Sequence, residues 1–262
     1  MDTRTNPARL RIERLRASMA ERGVDAVLVP SSDPHLSEYL PAHWQGREWF
    51  SGFTGSMGTL AVTADPAALF ADSRYWVQAE AELQGSGIEL VKITTGAATH
   101  HIDWICARLA RGGTLAVDGR VLGLAAAQQL RDATTRAGIV LATDRDPLDD
   151  AWAEPPPLPA APVQAHRPPQ ATEPRAARLA RLREAMRAAG ASHHLVCTLD
   201  DIAWITNLRG ADVDYNPVFL AHLLVGADRA TLFVGAGKAD AALGDVLRGD
   251  GIEVADYTQA HA

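Results

Sequence analysis

The sequence of 262 residues is poor in cysteine and lysine. Its cysteines are Cys106 and Cys197, too few for a disulfide framework, and both are predicted to be reduced. Its lysines are Lys92 and Lys238, so arginine carries nearly all of the positive charge, and the formal net charge is -7. An acidic chain without a basic cluster lacks the electrostatic features of a protein that binds nucleic acid or anionic lipid.

Long apolar runs are also missing. No stretch of about 18 consecutive apolar residues occurs, so the sequence predicts no transmembrane helix. The first 15 residues are charged throughout and contain no apolar segment of the kind that a secretory signal needs. We therefore expect a soluble, cytoplasmic protein.

Short metal-binding and nucleotide-binding motifs are absent as well. No His-x-x-x-His, His-Glu-x-x-His or Cys-x-x-Cys spacing occurs, so a zinc site built from neighbouring residues is not expected. His193 and His194 are expected in a loop or at the edge of a strand. The glycine-rich residues 52–58 precede a strand and do not match Gly-x-Gly-x-x-Gly, which favours tight turns over phosphate binding. Ser56 lacks a Gly-x-Ser-x-Gly elbow and is not expected to be a nucleophile.

Segments of the first half of the chain recur in the second half. Three segments recur in the same order, at sequence offsets of 167, 163 and 164. The matching pairs are 11–16 with 178–183, 64–70 with 227–233, and 87–90 with 251–254. Ordered repetition of this kind indicates a tandem duplication. A length of 262 residues also favours two domains, at about 150 residues per domain.

Each copy has the pattern of an α/β domain. In the first copy, Ile12, Leu15 and Met19 recur at helical spacing, and Gly23 is placed to end that helix. The pattern then predicts strands at 26–29, 58–63, 67–71, 88–93, 114–118 and 139–143, and helices at 74–83, 99–111 and 122–136. Strands interleaved with helices predict a mixed sheet flanked by helices.

The boundaries follow from a proline-rich stretch. We expect a first domain at 1–150, an extended linker at 151–172, where proline excludes helix and central strand, and a second domain at 173–262. The first copy continues well past its Gly-Ile-Glu match, whereas the second stops soon after it. The second domain is therefore expected to be truncated, and to leave one apolar face exposed.

Two polar segments are candidate sites. Asp72 and Ser73 lie where a strand gives way to a helix, so either could cap the helix, and Arg74 could instead reach a carboxylate or carbonyl of a ligand. The loop from Asn207 to Pro217 carries Asp212 and Asp214, too few carboxylates for a hard-cation site. A solvated loop is the simpler interpretation of that segment.

Four segments resemble aminopeptidase P, the Xaa-Pro aminopeptidase of the creatinase/prolidase superfamily. They are PSSDPHLSEY at 30–39, FSGFTGSMGT at 50–59, DSRYW at 72–76, and LDDIAW at 199–204 with the loop at 207–219. The resemblance implies the long, three-domain form of that family. Its two N-terminal domains have ribonuclease-H-like mixed sheets flanked by helices, and its catalytic pita-bread domain, which follows them, is not matched by this sequence.

The resemblance implies a metallopeptidase that removes the N-terminal residue preceding proline from short peptides. It uses two divalent metals, commonly manganese, held by the catalytic domain, so no metal ligand or catalytic residue is assigned here. Arg74 matches the family's peptide-contacting arginine, although Ser73 stands where the family often has glycine. We assign Asn207, Arg209, Asp212 and Asn216 as possible lining of the active-site cleft.

This chain alone is therefore expected to be an inactive fragment that restricts substrate access and supports assembly, and a homodimer is possible at full length. One alternative is a non-enzymatic module that binds peptides or proteins on the same scaffold. A prolidase or creatinase is a further alternative, which the duplication disfavours.

Overall fold

The computed structural model describes residues 6–94, 99–144 and 146–261. The chain divides into two units. The first unit comprises Met1–Pro34 and Ala42–Pro157, and the second comprises His35–Pro41 and Leu158–Ala262. The linker placed at 151–172 stays a prediction, and Trp152 at its start is buried in the core of the first unit.

The first described element of the first unit is helix α1, Pro7–Arg22. This segment is helical because both of its ends are capped and one of its faces is buried. The Asn6 side chain accepts a hydrogen bond from the Ala8 amide at 2.9 Å, and Pro7 occupies the first turn. Leu15 is buried on the core face, and Gly23 ends the helix in the left-handed conformation at φ 65°.

The first unit contains a six-stranded mixed sheet, whose strand order is β4-β3-β2-β1-β5-β6. The strands are β1 Ala26–Pro30, β2 Thr59–Thr63, β3 Ala67–Asp72, β4 Ile88–Ile93, β5 Thr114–Ala116 and β6 Val140–Ala142. The helices after α1 are α2 Gly46–Ser51, α3 Trp76–Glu82, α4 His100–Cys106 and α5 Leu124–Ala137. β1 is antiparallel to β2 and parallel to β5, so the sheet is mixed as expected.

The three helices predicted after α1 differ from the structure in their boundaries, and α5 begins at Leu124, not at Leu122. Helix α3 begins at Trp76, not at Arg74, and helix α4 ends at Cys106, not at Arg111. Helix α2 was not predicted, because six residues show no complete apolar period.

The second unit repeats four of those strands. Its main sheet has the order β12-β11-β10-β8, which is the order of β4-β3-β2-β1 in the first unit. Its elements are β7 Gln164–Ala165, α6 Arg175–Ala188, β8 His193–Val196, α7 Leu199–Thr206, β9 Leu208–Arg209, β10 Ala221–Gly226, β11 Ala230–Val234, α8 Ala241–Gly249 and β12 Ile252–Asp256.

The strand register supports the duplication. Val196 lies opposite Leu223, as Val29 lies opposite Leu60 in the first unit. The corresponding residues differ by the same 167 and 163 positions as the sequence repeats. Two tandem domains with mixed sheets flanked by helices are therefore confirmed.

One face of the second sheet is more exposed than its counterpart. In the first unit, α4 and α5 cover the face that carries Leu28 and Phe70, which are 3% and 1% exposed. On the corresponding face of the second unit, Leu195 is 43% exposed and Phe233 is only half-buried. β8 is an edge strand of this sheet, and His193 and His194 are its first two residues, which is one of the two placements that the sequence predicted.

The cysteines are free, as predicted, and each is partly buried. Burial raises the pKa of the Cys106 and Cys197 thiols, which disfavours the reactive thiolate. Within 6–94, 99–144 and 146–261, no helix has the length and apolar character needed to cross a membrane.

Candidate functional site

Arg74 lies directly after β3, in the turn that leads into α3. Asp72 holds its guanidinium in a two-point fork, with Nε 3.0 Å from Oδ1 and Nη2 2.7 Å from Oδ2. Asp72 Oδ1 also accepts the Arg74 backbone amide at 3.0 Å, which fixes the turn. The proposed capping role is therefore wrong: the N-cap of α3 is Tyr75, with no side-chain cap, and Asp72 orients Arg74 instead.

The Arg74 site is open and polar. The side chain of Arg74 is 63% exposed, whereas that of Asp72 is 33% exposed. Hydrogen bonding from Arg74 lowers the pKa of Asp72, so the carboxylate stays ionised and the fork stays formed at neutral pH. An oriented, exposed guanidinium can donate hydrogen bonds to a carbonyl or a carboxylate of a ligand.

The ring of Tyr75 makes a cation–π contact with the Arg74 guanidinium. The Arg74 guanidinium carbon lies 5.3 Å from the centre of the Tyr75 ring, within cation–π distance. The Tyr75 hydroxyl is 2.6 Å from Oγ of Ser56, and the ring meets Phe53 edge-on at 5.8 Å. Ser56 is thus a hydrogen-bond partner of Tyr75.

The glycine-rich segment at 52–58 is held by a buried arginine. Arg47 is 5% exposed, and its guanidinium donates to the carbonyl oxygens of Phe53 and, at 2.6 Å, Gly55. Burial lowers the pKa of Arg47, and these carbonyls with Oγ of Ser31 compensate the buried charge. The segment is a structural loop, as the sequence predicted.

Gly55 is required for close packing in this loop. A Cβ atom at Gly55 would lie 2.3 Å from Cζ of Phe53 and 2.7 Å from Cδ1 of Tyr75, closer than atoms can approach. The sequence shows the glycine but not its neighbours, so this contact between the loop and Tyr75 could not be predicted.

The second candidate group lies in the other unit. Asn207 ends α7 at φ 50° and is 6% exposed, with Nδ2 donating to the Glu173 carbonyl at 2.8 Å and Oδ1 accepting from Arg178 at 2.5 Å. Arg209 donates to the carbonyl oxygens of Ala203 and Leu208 at 2.8 and 2.7 Å. Both side chains therefore fix the local backbone.

Asp212 is buried in an ion pair. Its side chain is 0% exposed and that of Lys238 is 1% exposed, and the Lys238 ammonium donates to Oδ2 of Asp212. The same oxygen accepts the Leu220 amide at 2.7 Å. The expectation of a solvated loop is therefore wrong at Asp212, because a lysine 26 residues away neutralises the carboxylate in the core.

Asn216 borders an open cleft of about 280 Å³ in the second unit, together with Tyr39, Thr198 and Asp200. Asn207 borders a different cavity, of about 730 Å³, beside Glu173 and Arg175. Asn207 and Asn216 thus border two different cavities, and the role of the four residues as cleft lining stays a prediction.

A histidine pair at the second unit was missed from the sequence. His35 Nδ1 donates to the Cys197 carbonyl at 2.9 Å, because a carbonyl oxygen can only accept, and Nε2 is hydrogen-bonded to the Tyr257 hydroxyl at 2.8 Å. The His222 ring lies 4.5 Å from the His35 ring, and both residues are buried. These partners are up to 222 residues apart, so no local pattern reveals them.

The described residues fit no dinuclear metal centre. Over 6–94, 99–144 and 146–261, no group of three or more His, Cys, Asp or Glu side chains is placed to hold a metal ion.

Comparisons with known proteins decide the family. The Creatinase/Prolidase N-terminal domain matches residues 11–144, and a second family of the same description matches residues 154–262. The chain belongs to the creatinase/prolidase N-terminal domain family. Two related domains in tandem agree with the repeat and with the paired sheets.

Relatives of this creatinase/prolidase chain are Xaa-Pro aminopeptidases. It is 37% identical to Aminopeptidase P2 of Arabidopsis thaliana over 238 residues, 90% of this chain and 33% of the relative. It is 35% identical to a probable Xaa-Pro aminopeptidase P of Metarhizium acridum, over 94% of this chain and 40% of the relative. The resemblance inferred from the four segments is confirmed, and the chain spans well under half of these relatives.

A solved structure supports the same assignment. The X-prolyl aminopeptidase of Caenorhabditis elegans, described as a cytosolic enzyme with a dinuclear active site, matches with a TM-score of 0.89 at 25% identity. The match covers 96% of this chain and 43% of the worm enzyme.

Proposed function

We propose that this chain supplies the N-terminal, substrate-facing part of a metal-dependent Xaa-Pro aminopeptidase, and that hydrolysis requires a catalytic domain outside residues 1–262. The observation that carries the proposal is the 37% identity to Aminopeptidase P2 across 90% of the chain. In that role the two domains restrict access to the active site, so that short peptides with a free amino terminus enter best. The expected location is the cytoplasm.

Arg74 is the proposed peptide contact. It is exposed, it is fixed in direction by Asp72, and it lies at the carboxyl end of a buried strand. A fixed donor loses less conformational entropy on binding than a free side chain, so Arg74 suits a backbone carbonyl or carboxylate of an incoming peptide.

Catalysis is assigned to two divalent metals, with manganese the expected ion, held by residues of the catalytic domain. The metal pair would activate a hydroxide and polarise the scissile carbonyl. The described part of this chain offers no matching ligand group, so its contribution is binding and orientation.

The test measures hydrolysis of Ala-Pro-Ala by the 262-residue chain, with manganese added and, separately, with chelator. We expect no cleavage in either sample, and peptide-induced NMR shifts around Arg74 that Arg74→Ala abolishes. Arg9→Ala is the matched control, because Arg9 is equally exposed but pairs with Glu13 on α1. Proline-directed cleavage by the chelated chain would overturn the proposal.

A further inference from the structure

We propose that Ser56 and Tyr75 are positioning residues for Arg74, and that the glycine-rich loop at 52–58 sets the direction of the peptide-binding guanidinium. This inference deepens the proposed function and rests on it for the identity of the ligand. The chain of contacts itself is independent of that ligand.

The first step is a rigid anchor. Arg47 is buried and donates to two carbonyl oxygens of the loop, those of Phe53 and Gly55. Oγ of Ser31 accepts from Arg47 at 2.9 Å and donates to the Gly58 carbonyl at 2.8 Å. A buried guanidinium that satisfies backbone acceptors leaves the loop little freedom, because releasing any of these bonds strands a buried polar group.

The second step links the loop to α3. The Thr54 amide donates to Oε2 of Glu82 at 2.9 Å, and the Thr54 hydroxyl donates to Oε1 at 2.7 Å. Gln78 Nε2 donates to the same Thr54 hydroxyl at 2.8 Å. The loop is therefore hydrogen-bonded to the buried Arg47 on one side and to residues of α3 on the other.

The third step transmits the loop position to Tyr75. The Ser56 hydroxyl and the Tyr75 hydroxyl are 2.6 Å apart, and Gly55 packs so closely on the Tyr75 ring that no Cβ atom fits. The ring thus has a polar contact at its tip and a packing contact along its edge. Its orientation is determined by the loop.

The last step orients Arg74. The Asp72 carboxylate accepts hydrogen bonds from Nε and Nη2 of Arg74. The centre of the Tyr75 ring lies 5.3 Å from the guanidinium carbon. The carboxylate fixes two N–H directions, and the ring face supplies a further cation–π contact. Loosening Tyr75 would leave the fork intact but let it swing about the Asp72 side chain.

The experiment uses the full chain and two readouts. NMR relaxation of the Arg74 Nε–H group reports its order, and titration with Ala-Pro-Ala reports affinity. We expect Ser56→Ala to increase the mobility of Arg74 and to weaken peptide binding about fivefold, the worth of about one hydrogen bond. Tm should not change, because Ser56 is exposed. Ser56→Thr keeps the hydroxyl and should restore both readouts.

Two further variants sharpen the test. Tyr75→Phe keeps the ring and removes only the hydroxyl, so it should reproduce Ser56→Ala. Met57→Ala alters an exposed neighbour in the same loop and should behave like the native chain.

The two proposals fail separately. If Arg74 is as ordered in Ser56→Ala and Tyr75→Phe as in the native chain, the positioning inference is wrong, whether or not peptide binds. If the native chain shows no peptide-induced shift at Arg74, the proposed peptide contact is wrong, and the Arg74 relaxation data still decide the positioning role.

Discussion

The buried pair of Lys238 and Asp212 should be the most sensitive point of the second unit. Both side chains are essentially without solvent contact, and the ammonium also donates to the Pro159 carbonyl at 3.2 Å. Among the residues that the structure describes, Lys238→Met would leave the buried Asp212 carboxylate with the Leu220 amide as its remaining hydrogen-bond donor. Breaking such a pair costs about 3–5 kcal/mol, because the remaining charge stays desolvated.

The double variant separates charge from packing. Asp212→Leu alone strands the ammonium and should cost a similar amount, whereas Lys238→Met with Asp212→Leu removes both charges. Replacing a buried pair by apolar side chains is often neutral, so the double variant should be more stable than either single variant. Lys92→Met is the control, since Lys92 pairs with Glu80 at side-chain exposures of 44% and 55% and should cost less than about 1 kcal/mol.

The assay is hydrogen exchange read by mass spectrometry, which reports each unit separately. Peptides covering β10 and β11 report the variants of Lys238 and Asp212, and peptides covering β3 and β4 report the Lys92→Met control in the first unit. The single variants of Lys238 and Asp212 should lose most of the protection of β10 and β11, since a domain has only about 5–15 kcal/mol of stability to lose. The reasoning is refuted if Lys238→Met is as mild as Lys92→Met, or if the double variant loses the sum of the two single losses.

Two other predictions concern Asp72 and the open sheet face. The pKa of Asp72 lies below its ordinary value because of Arg74, so its contribution to stability is present above about pH 3.9 and is lost as the pH falls through the lowered value. Arg74→Ala should raise the Asp72 pKa in a carboxyl NMR titration, and an unchanged value would contradict the fork. The face around Leu195 should bind the dye 8-anilinonaphthalene-1-sulfonate. Leu195→Asp should reduce the fluorescence and Leu10→Asp, at a comparably exposed position on α1, should not; equal effects would refute a specific face.

Much of the fold could be predicted because its signals are local. The apolar spacing of Ile12 and Leu15 and the glycine at position 23 define α1 without any tertiary information. The strands of the first sheet follow from short apolar runs separated by turn residues. The repeat then carries the same interpretation to the second unit, where the strand order confirms it.

The rest depends on contacts between distant residues. Helix α7 has eight residues, too short to be stable alone, and it forms because Ile202 and Ile205 are buried against the second sheet. The sequence shows Asp212 as a loop carboxylate, whereas its partner Lys238 comes 26 residues later. At the candidate site, Arg74 could be named from its motif, but its support by Tyr75 and Ser56 requires a contact across 19 residues.

The most direct test of the proposed function is a chimera in which this chain replaces the matching region of Aminopeptidase P2. Initial rates on Ala-Pro-Ala would be compared for the chimera and for its Arg74→Ala variant. We expect the chimera to cleave the Xaa-Pro bond, and Arg74→Ala to lower kcat/KM about tenfold or more, the effect of one lost charge-assisted hydrogen bond. A folded, metal-loaded chimera with no activity, or one whose kcat/KM is indifferent to Arg74, would contradict the account.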